Sequence, residues 1–298
     1  MSAVVGAGGV AELRDVPVPV RRPGWVRLRV LGAAICRTDV YAATGRLPLG
    51  GPRVLGHEMV GEVVEADPEG DYRPGARVAV ATPLIACAEC ESAARRCGES
   101  RMLGVDLDGA FAEQTVVPEA NLWPVPESLP LRRAACVEPI AATTAVLRAP
   151  IRPDQRGVVL GAGRIAELSG RVLRAHGFGS VDDEVDAKGD YDFVIESAGT
   201  GDALARAVAL ARPGGVVVLK SRPAAPIALD VAAAVRKDLV LAAVSYGPAA
   251  DAVRLAGELA IDDLLGETYP LRRFADALAA AERDPLGPKV LLDPAGAR

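Results

Sequence analysis

Gly157-Val158-Val159-Leu160-Gly161-Ala162-Gly163-Arg164-Ile165-Ala166 is the stretch on which the fold turns. A short apolar run leads into a glycine-rich turn. Residues 165–176 then follow helical spacing, with Ile165, Leu168, Val172 and Leu173 on one side. In a turn of this kind the first glycine, Gly161, makes the sharp bend and the second, Gly163, lets backbone approach a pyrophosphate. Ala166 in third place permits close packing of helix on strand. The helix N-terminus that follows attracts phosphate. A lone glycine motif says little, but this one follows a strand and opens a helix, the context it requires. Gly161, Gly163, Arg164 at the turn and Ala166 are therefore candidate cofactor contacts.

Downstream, buried runs alternate with helices. Residues 191–196, 216–219 and 239–244 read as strands. Residues 203–211 read as a helix closed by Arg212-Pro213-Gly214-Gly215. This alternation argues for a parallel sheet in an α/β domain. One step is irregular. An acidic residue about 20 positions beyond the turn is expected to hold an adenine ribose. Yet residues 178–190 form a polar, acidic linker with no convincing strand, and Leu160 stands only about 30 residues from Tyr191, room for a single crossover. The sheet is thus expected to be truncated after its first βα unit. Three readings follow. Asp182 or Asp183 ends a very short strand and still holds a ribose, Glu196 takes the acidic role, or the adenosine pocket is lost.

Before residue 150 the character differs. Trp25-Val26-Arg27-Leu28-Arg29-Val30 alternates as a half-buried strand does, and residues 59–65 and 76–80 continue in kind, with Pro and Gly between them. A β-barrel-like domain with long loops is expected over 1–149. The tail, 266–298, returns to it, and 150–265 forms the sheet domain. Half of the 298 residues are apolar, only 4% are aromatic, and the net charge is −5. No basic stripe marks a nucleic-acid partner, and no run approaches a membrane span. Residues 1–5 lack a charged segment ahead of an apolar one, so a cytoplasmic protein is expected.

Three short stretches converge on metal chemistry: Cys36-Arg37-Thr38-Asp39, Gly56-His57-Glu58 and Glu138-Pro139. Thiol, imidazole and carboxylate are the ligand types of a catalytic Zn²⁺ that keeps one position open. Asp39 is placed to take the second N–H of a metal-bound His57, and Thr38 offers a hydroxyl to relay a proton. Glu138 or Glu58 supplies the carboxylate. Each piece alone has a plain alternative, a buried Cys or a structural His; their order and company make the case.

These stretches, with the cysteines at 87–97, Gly109-Ala110-Phe111-Ala112-Glu113, the glycine turn and Lys289-Val290, resemble the zinc-containing medium-chain dehydrogenases/reductases, among them alcohol, sorbitol and threonine dehydrogenases. The resemblance runs over nearly the whole chain. It implies a GroES-like barrel domain joined to a Rossmann domain and a homo-oligomer, dimer or tetramer. It puts Cys36, His57 and Glu138 on the catalytic zinc, Glu58 on a neighbouring carboxylate that in some members approaches the metal, Thr38 on the proton relay and Arg37 on a cofactor phosphate. The Glu-Pro pair leans toward the polyol and threonine branch. Members often carry a structural zinc on four cysteines. Here Cys87, Cys90 and Cys97 remain while Ala93 stands at the third position, so a metal-free lobe is slightly favoured.

The expected function is zinc-dependent oxidation of a secondary alcohol or polyol, or reduction of the ketone, with NAD(P). Its competitor keeps the zinc and drops the hydride, as in a lyase, cyclase or isomerase, with Glu58 or Thr38 handling protons. An inactive binding relative is the third.

Overall fold

The computed structural model describes residues 1–80, 84–85, 98, 100–182, 184–186, 188–223 and 225–296. The cysteines at 87, 90 and 97, and Asp183, lie outside them. Packing divides the chain into one unit of Met1–Pro139 with Ala252–Arg298, and a second of Ile140–Asp251. The boundaries thus fall at 139 and 252, within helices, while the change in sequence character falls near 150 and 265.

The first unit opens with strands β1 (Ser2–Ala7), β2 (Val10–Asp15) and β3 (Trp25–Ala34), helix α1 (Arg37–Ala43), and strands β4 (Arg53–Val54), β5 (Glu58–Glu65) and β6 (Arg77–Val80). Short strands β7 (Leu84–Ile85) and β8 (Arg101–Met102) follow. Then come β9 (Gln114–Pro118), β10 (Leu122–Pro124), α2 (Leu131–Ala134) and α3 (Val137–Thr144). Among the described residues the main sheet runs β10-β6-β5-β3, with β9 also on β3.

The alternation in β3 decides its faces. Val26, Leu28 and Val30 are fully buried, while Arg27 and Arg29 point outward. Across the strand pair, Arg27 meets Glu65 at 2.7 Å and Arg29 meets Glu62 at 2.7 Å. Such exposed pairs add roughly 0.2–1 kcal/mol each, so burial of the other face dominates. Opposite that face, Phe111 is fully buried with its ring centroid 5.7 Å from that of Phe274. Burying one such ring stabilises by roughly 1.5–3 kcal/mol.

The second unit carries β11 (Gly157–Leu160), α4 (Arg164–Ala175), β12 (Val181–Asp182), β13 (Tyr191–Glu196), α5 (Gly201–Leu210), β14 (Ala211–Leu219), α6 (Val231–Arg236), β15 (Val240–Ala243) and the start of α7 (Ala249–Glu258). Its strands are parallel in the order β12-β11-β13-β14-β15. Leu160, Glu196, Leu219 and Ala243 stand level at the carboxyl edge. Phe193 and Ile195 pack on one face with Leu173, Phe178 and Val218. Val194 packs on the other with Val158, Leu204 and Val217. Both faces are apolar because helices cover both, which is why these strands read as continuous apolar runs.

A strand does form in the linker: β12, two residues long, beside the first half of β11. Between it and β13 no helix or strand occurs among the described residues. The chain then returns to the first unit with β16 (Leu265–Pro270), α8 (Phe274–Arg283) and β17 (Lys289–Asp293). β17 lies parallel to β16 and antiparallel to β3, with Leu291 opposite Ala34. Among the described residues no helix is long and apolar enough to cross a membrane.

Candidate metal centre and dinucleotide turn

Cys36 stands two residues beyond the buried end of β3 and caps α1. Its backbone N–H donates to Asp39 Oδ2 at 2.8 Å, so the first turn of the helix fixes where the thiol starts. The other Asp39 oxygen, Oδ1, lies 3.0 Å from His57 Nδ1. Asp39 and His57 are each 2% exposed. The bond at Nδ1 leaves Nε2 as the ring nitrogen for a metal.

Gly56 makes the position of His57 possible. It sits at φ +99°, and a Cβ there would meet the Phe111 ring at 2.4 Å. Phe111 N donates to Leu55 O at 2.8 Å and Ala110 N to Gly56 O at 3.0 Å, zipping the Gly109-Ala110-Phe111 segment onto the short link between β4 and β5 that carries the histidine.

Cys36, His57 and Glu58 each place a ligand atom within 4.8 Å of the others. Glu58 opens β5 and is buried. Its Oε1 accepts from Lys289 Nζ at 2.7 Å, and its Oε2 lies 2.6 Å from the same ammonium in an ion pair. Sulfur, nitrogen and oxygen donors in this grouping suit zinc, so the residues fit the metal. Burial opposes charge on His57, but the Asp39 carboxylate and the Cys36 sulfur outweigh it and raise the imidazole pKa well above its ordinary value. Glu138, in α3, is buried but stands outside this three-residue group. Thr38 Oγ1 lies 4.0 Å from Cys36 Sγ. Arg37 is exposed, with its guanidinium on Pro285 O at 3.3 Å.

In the second unit, Gly161 (φ +144°) and Gly163 (φ +82°) form the turn between β11 and α4, and Gly163 caps the helix. Arg164 and Ala166 occupy its first turn. Ser197, after β13, leans over this bend: its hydroxyl donates to Leu160 O at 2.9 Å, and a Cβ on Gly161 would meet it at 2.3 Å. The turn lies where strand order reverses, the usual place for a ligand in such sheets.

Asp182 is engaged elsewhere. It stands level with Val158, two residues short of the carboxyl edge. Its Oδ2 accepts from Arg156 Nη2 at 2.5 Å and from Tyr191 OH at 3.0 Å. The Arg156 guanidinium also lies 4.5 Å from the centre of the Tyr191 ring. A ribose contact by Asp182 would have to compete with these partners. Glu196 does end at the carboxyl edge, yet it accepts from Ala198 N at 2.8 Å, Gly199 N at 2.6 Å and the Ser221 hydroxyl, and so ties down its own loop.

Sequence reasoning gave Lys289 no role at the site. Its signal is a lysine heading the apolar run Lys289-Val290-Leu291-Leu292, and only 5% of it is exposed.

Residues 22–127 match the alcohol dehydrogenase GroES-like domain. The chain is 37% identical over 184 residues to L-threonine 3-dehydrogenase of Pyrococcus horikoshii, covering 56% of this chain and 50% of that one. It is 36% identical over 175 residues to L-galactonate-5-dehydrogenase of Escherichia coli K12, covering 56% and 50%. The chain thus spans about half the length of these relatives. Among solved structures, a protein of Sinorhizobium meliloti 1021 described as a zinc-binding dehydrogenase bound to NADP superposes with a TM-score of 0.87 at 26% identity, covering 98% and 99% of the two chains. The fold and these likenesses define an alcohol dehydrogenase-like α/β protein with a GroES-like domain. Over residues 22–127 and in its fold the chain is similar to alcohol dehydrogenases and zinc-binding dehydrogenases.

Proposed function

We propose that the protein is a zinc-dependent, NAD(P)-linked oxidoreductase acting on a secondary alcohol or polyol, or on the corresponding ketone. One observation carries the reading: the ligand atoms of half-buried Cys36 and of buried His57 and Glu58 lie within 4.8 Å of one another. Zinc in such a site supplies Lewis acidity at a substrate oxygen, and a nicotinamide supplies the hydride partner. Cys36 and His57 hold the metal, with the carboxylate of Glu138 or Glu58 beside them. Asp39 fixes the imidazole through Nδ1, and Thr38 Oγ1 moves the proton of the reacting hydroxyl. Gly161, Gly163 and the N-terminus of α4 cradle the pyrophosphate, and Arg37 is read as a contact to a cofactor phosphate. The threonine and galactonate dehydrogenases among the relatives support a polar, hydroxylated substrate.

A second reading keeps the metal without the hydride. It is favoured by Asp182, whose carboxylate already accepts from Arg156 and Tyr191. Fluorescence titration with NADH and NADPH separates the two: micromolar binding supports the oxidoreductase, and no binding at millimolar cofactor overturns it. A homo-oligomer fits β15, an edge strand with Val240 and Leu241 exposed, because such edges invite pairing with a second copy. Sedimentation measures it.

A further inference from the structure

Among the described residues no strand pairs with the outer edge of β2, which ends the order β2-β1-β4. The backbone of that edge has a definite phase. Val16 N donates to Met1 O at 2.9 Å, and the Met1 amino group donates to Val16 O at 2.9 Å. Hydrogen-bonded pairs recur at every second residue of an antiparallel ladder. With Ala3 opposite Arg14 and Val5 opposite Glu12, the residues Val10, Glu12 and Arg14 turn their N–H and C=O groups to β1. Ala11, Leu13 and Asp15 turn theirs outward. The far edge of β1 agrees, since Val4 N donates to Phe111 O and Val4 O accepts from Leu55 N.

This open edge is apolar as well. Val10 is 56% exposed and Leu13 42%, and just beyond the strand Val18 and Val20 are 42% and 89% exposed. Proteins commonly guard such an edge with charge. Here the charges are Glu12 and Arg14, which flank Leu13 and meet each other at 3.0 Å. They are self-complementary in one register. Outward backbone groups pair only with outward groups, so a second β2 laid antiparallel across a two-fold axis has that axis at one residue of the strand. An axis at Glu12 or at Arg14 sets like charges face to face. An axis at Ala11 sets Glu12 against Val10, and one at Asp15 sets Arg14 against Val16. Only an axis at Leu13 puts Glu12 of each copy opposite Arg14 of the other, with the two Leu13 side chains together. Glu12 and Arg14 then form the pairs without backbone hydrogen bonds, in which side chains approach most closely. Opposite charges facing each other there stabilise, and like charges destabilise.

We propose that β2 is a docking edge for a second copy of this chain, paired antiparallel about a two-fold axis through Leu13. The contact uses the same strand of both copies, as closed dimers do, and joins the two β2-β1-β4 sheets into one. It is separate from the β15 edge and independent of the metal and cofactor readings.

Sedimentation of the full-length protein over a concentration series tests it. Glu12→Arg places two pairs of like charges across the axis and should weaken this association step by about tenfold or more. Arg14→Glu should do the same. The exchanged variant Glu12→Arg/Arg14→Glu should associate as the wild type does. An equimolar mixture of the two single variants should also associate, because each supplies the charge the other needs. Both side chains are exposed, and unchanged urea midpoints check that the variants fold. A wild type without an association step, or a change under twofold in Glu12→Arg, overturns the proposal. Loss in the single variants without rescue in the exchanged variant or the mixture overturns it too, and gives the edge to another register or partner. These variants leave β15 untouched, so assembly through that strand cannot mimic the charge-exchange result.

Discussion

The Asp39 carboxylate lies 3.0 Å from His57 Nδ1 while its other oxygen takes the Cys36 backbone N–H at 2.8 Å. One short side chain thereby sets both the imidazole tautomer and the start of the helix that carries the thiol. Replacing it with Asn keeps an acceptor but removes the charge that supports the ring. Asp39→Asn should weaken zinc binding by about 10–100-fold, measured by chelator competition.

The Thr38 hydroxyl lies 4.0 Å from the Cys36 sulfur. Thr38→Val retains the shape and removes the hydroxyl proposed as the relay. It should lower kcat/KM for alcohol oxidation by about 10²–10⁴ with zinc content unchanged, and Thr38→Ser should recover most of the loss. Equal activity in Thr38→Val would remove this residue from the mechanism.

Gly56 has no room for a side chain and stands at positive φ. Gly56→Ala combines backbone strain with a clash against Phe111, and should cost about 2–4 kcal/mol in urea unfolding. Because His57 is the next residue, zinc content should fall in parallel.

Asp182 is expected to serve the fold. Asp182→Ala leaves Arg156 and Tyr191 without their shared acceptor and should lower the melting temperature by about 2–4 °C. Affinity for NADH should stay within twofold of wild type. A tenfold loss of affinity with unchanged melting would return Asp182 to the cofactor.

Asp192 gives a pH signature. Desolvation pushes its pKa up, but the Arg156 backbone N–H at 2.8 Å and the Arg212 guanidinium at 2.7 Å outweigh it, so the carboxyl is lowered below its ordinary value. A group with a depressed pKa in the folded state stabilises above its unfolded value and loses that contribution as pH falls through the folded one. Asp192→Asn should therefore shift the urea midpoint downward at pH 7. The gap to wild type should close below about pH 4, near the ordinary carboxylate pKa.

Much of the architecture was legible because it is local. The alternation of residues 25–30 fixes which face of β3 is buried, and apolar runs between helices mark a sheet covered on both sides. The glycine turn was legible for the same reason, since positive φ at Gly161 and Gly163 is demanded over a few bonds. The strand β12 stood only as one of three readings, because two residues carry no period and pair only where β11 offers an edge.

The sequence by itself determined the donor types, the motif order, the strand faces and the turn. Tertiary structure decided which groups meet. Glu58 joins Cys36 and His57, Lys289 reaches Glu58 across 231 residues, and Asp182 falls to Arg156 and Tyr191. Spacing along a chain constrains neighbours a turn or a strand apart. Contacts between distant segments depend on sheet register and on the burial that selects it, and these exist only once the chain has packed.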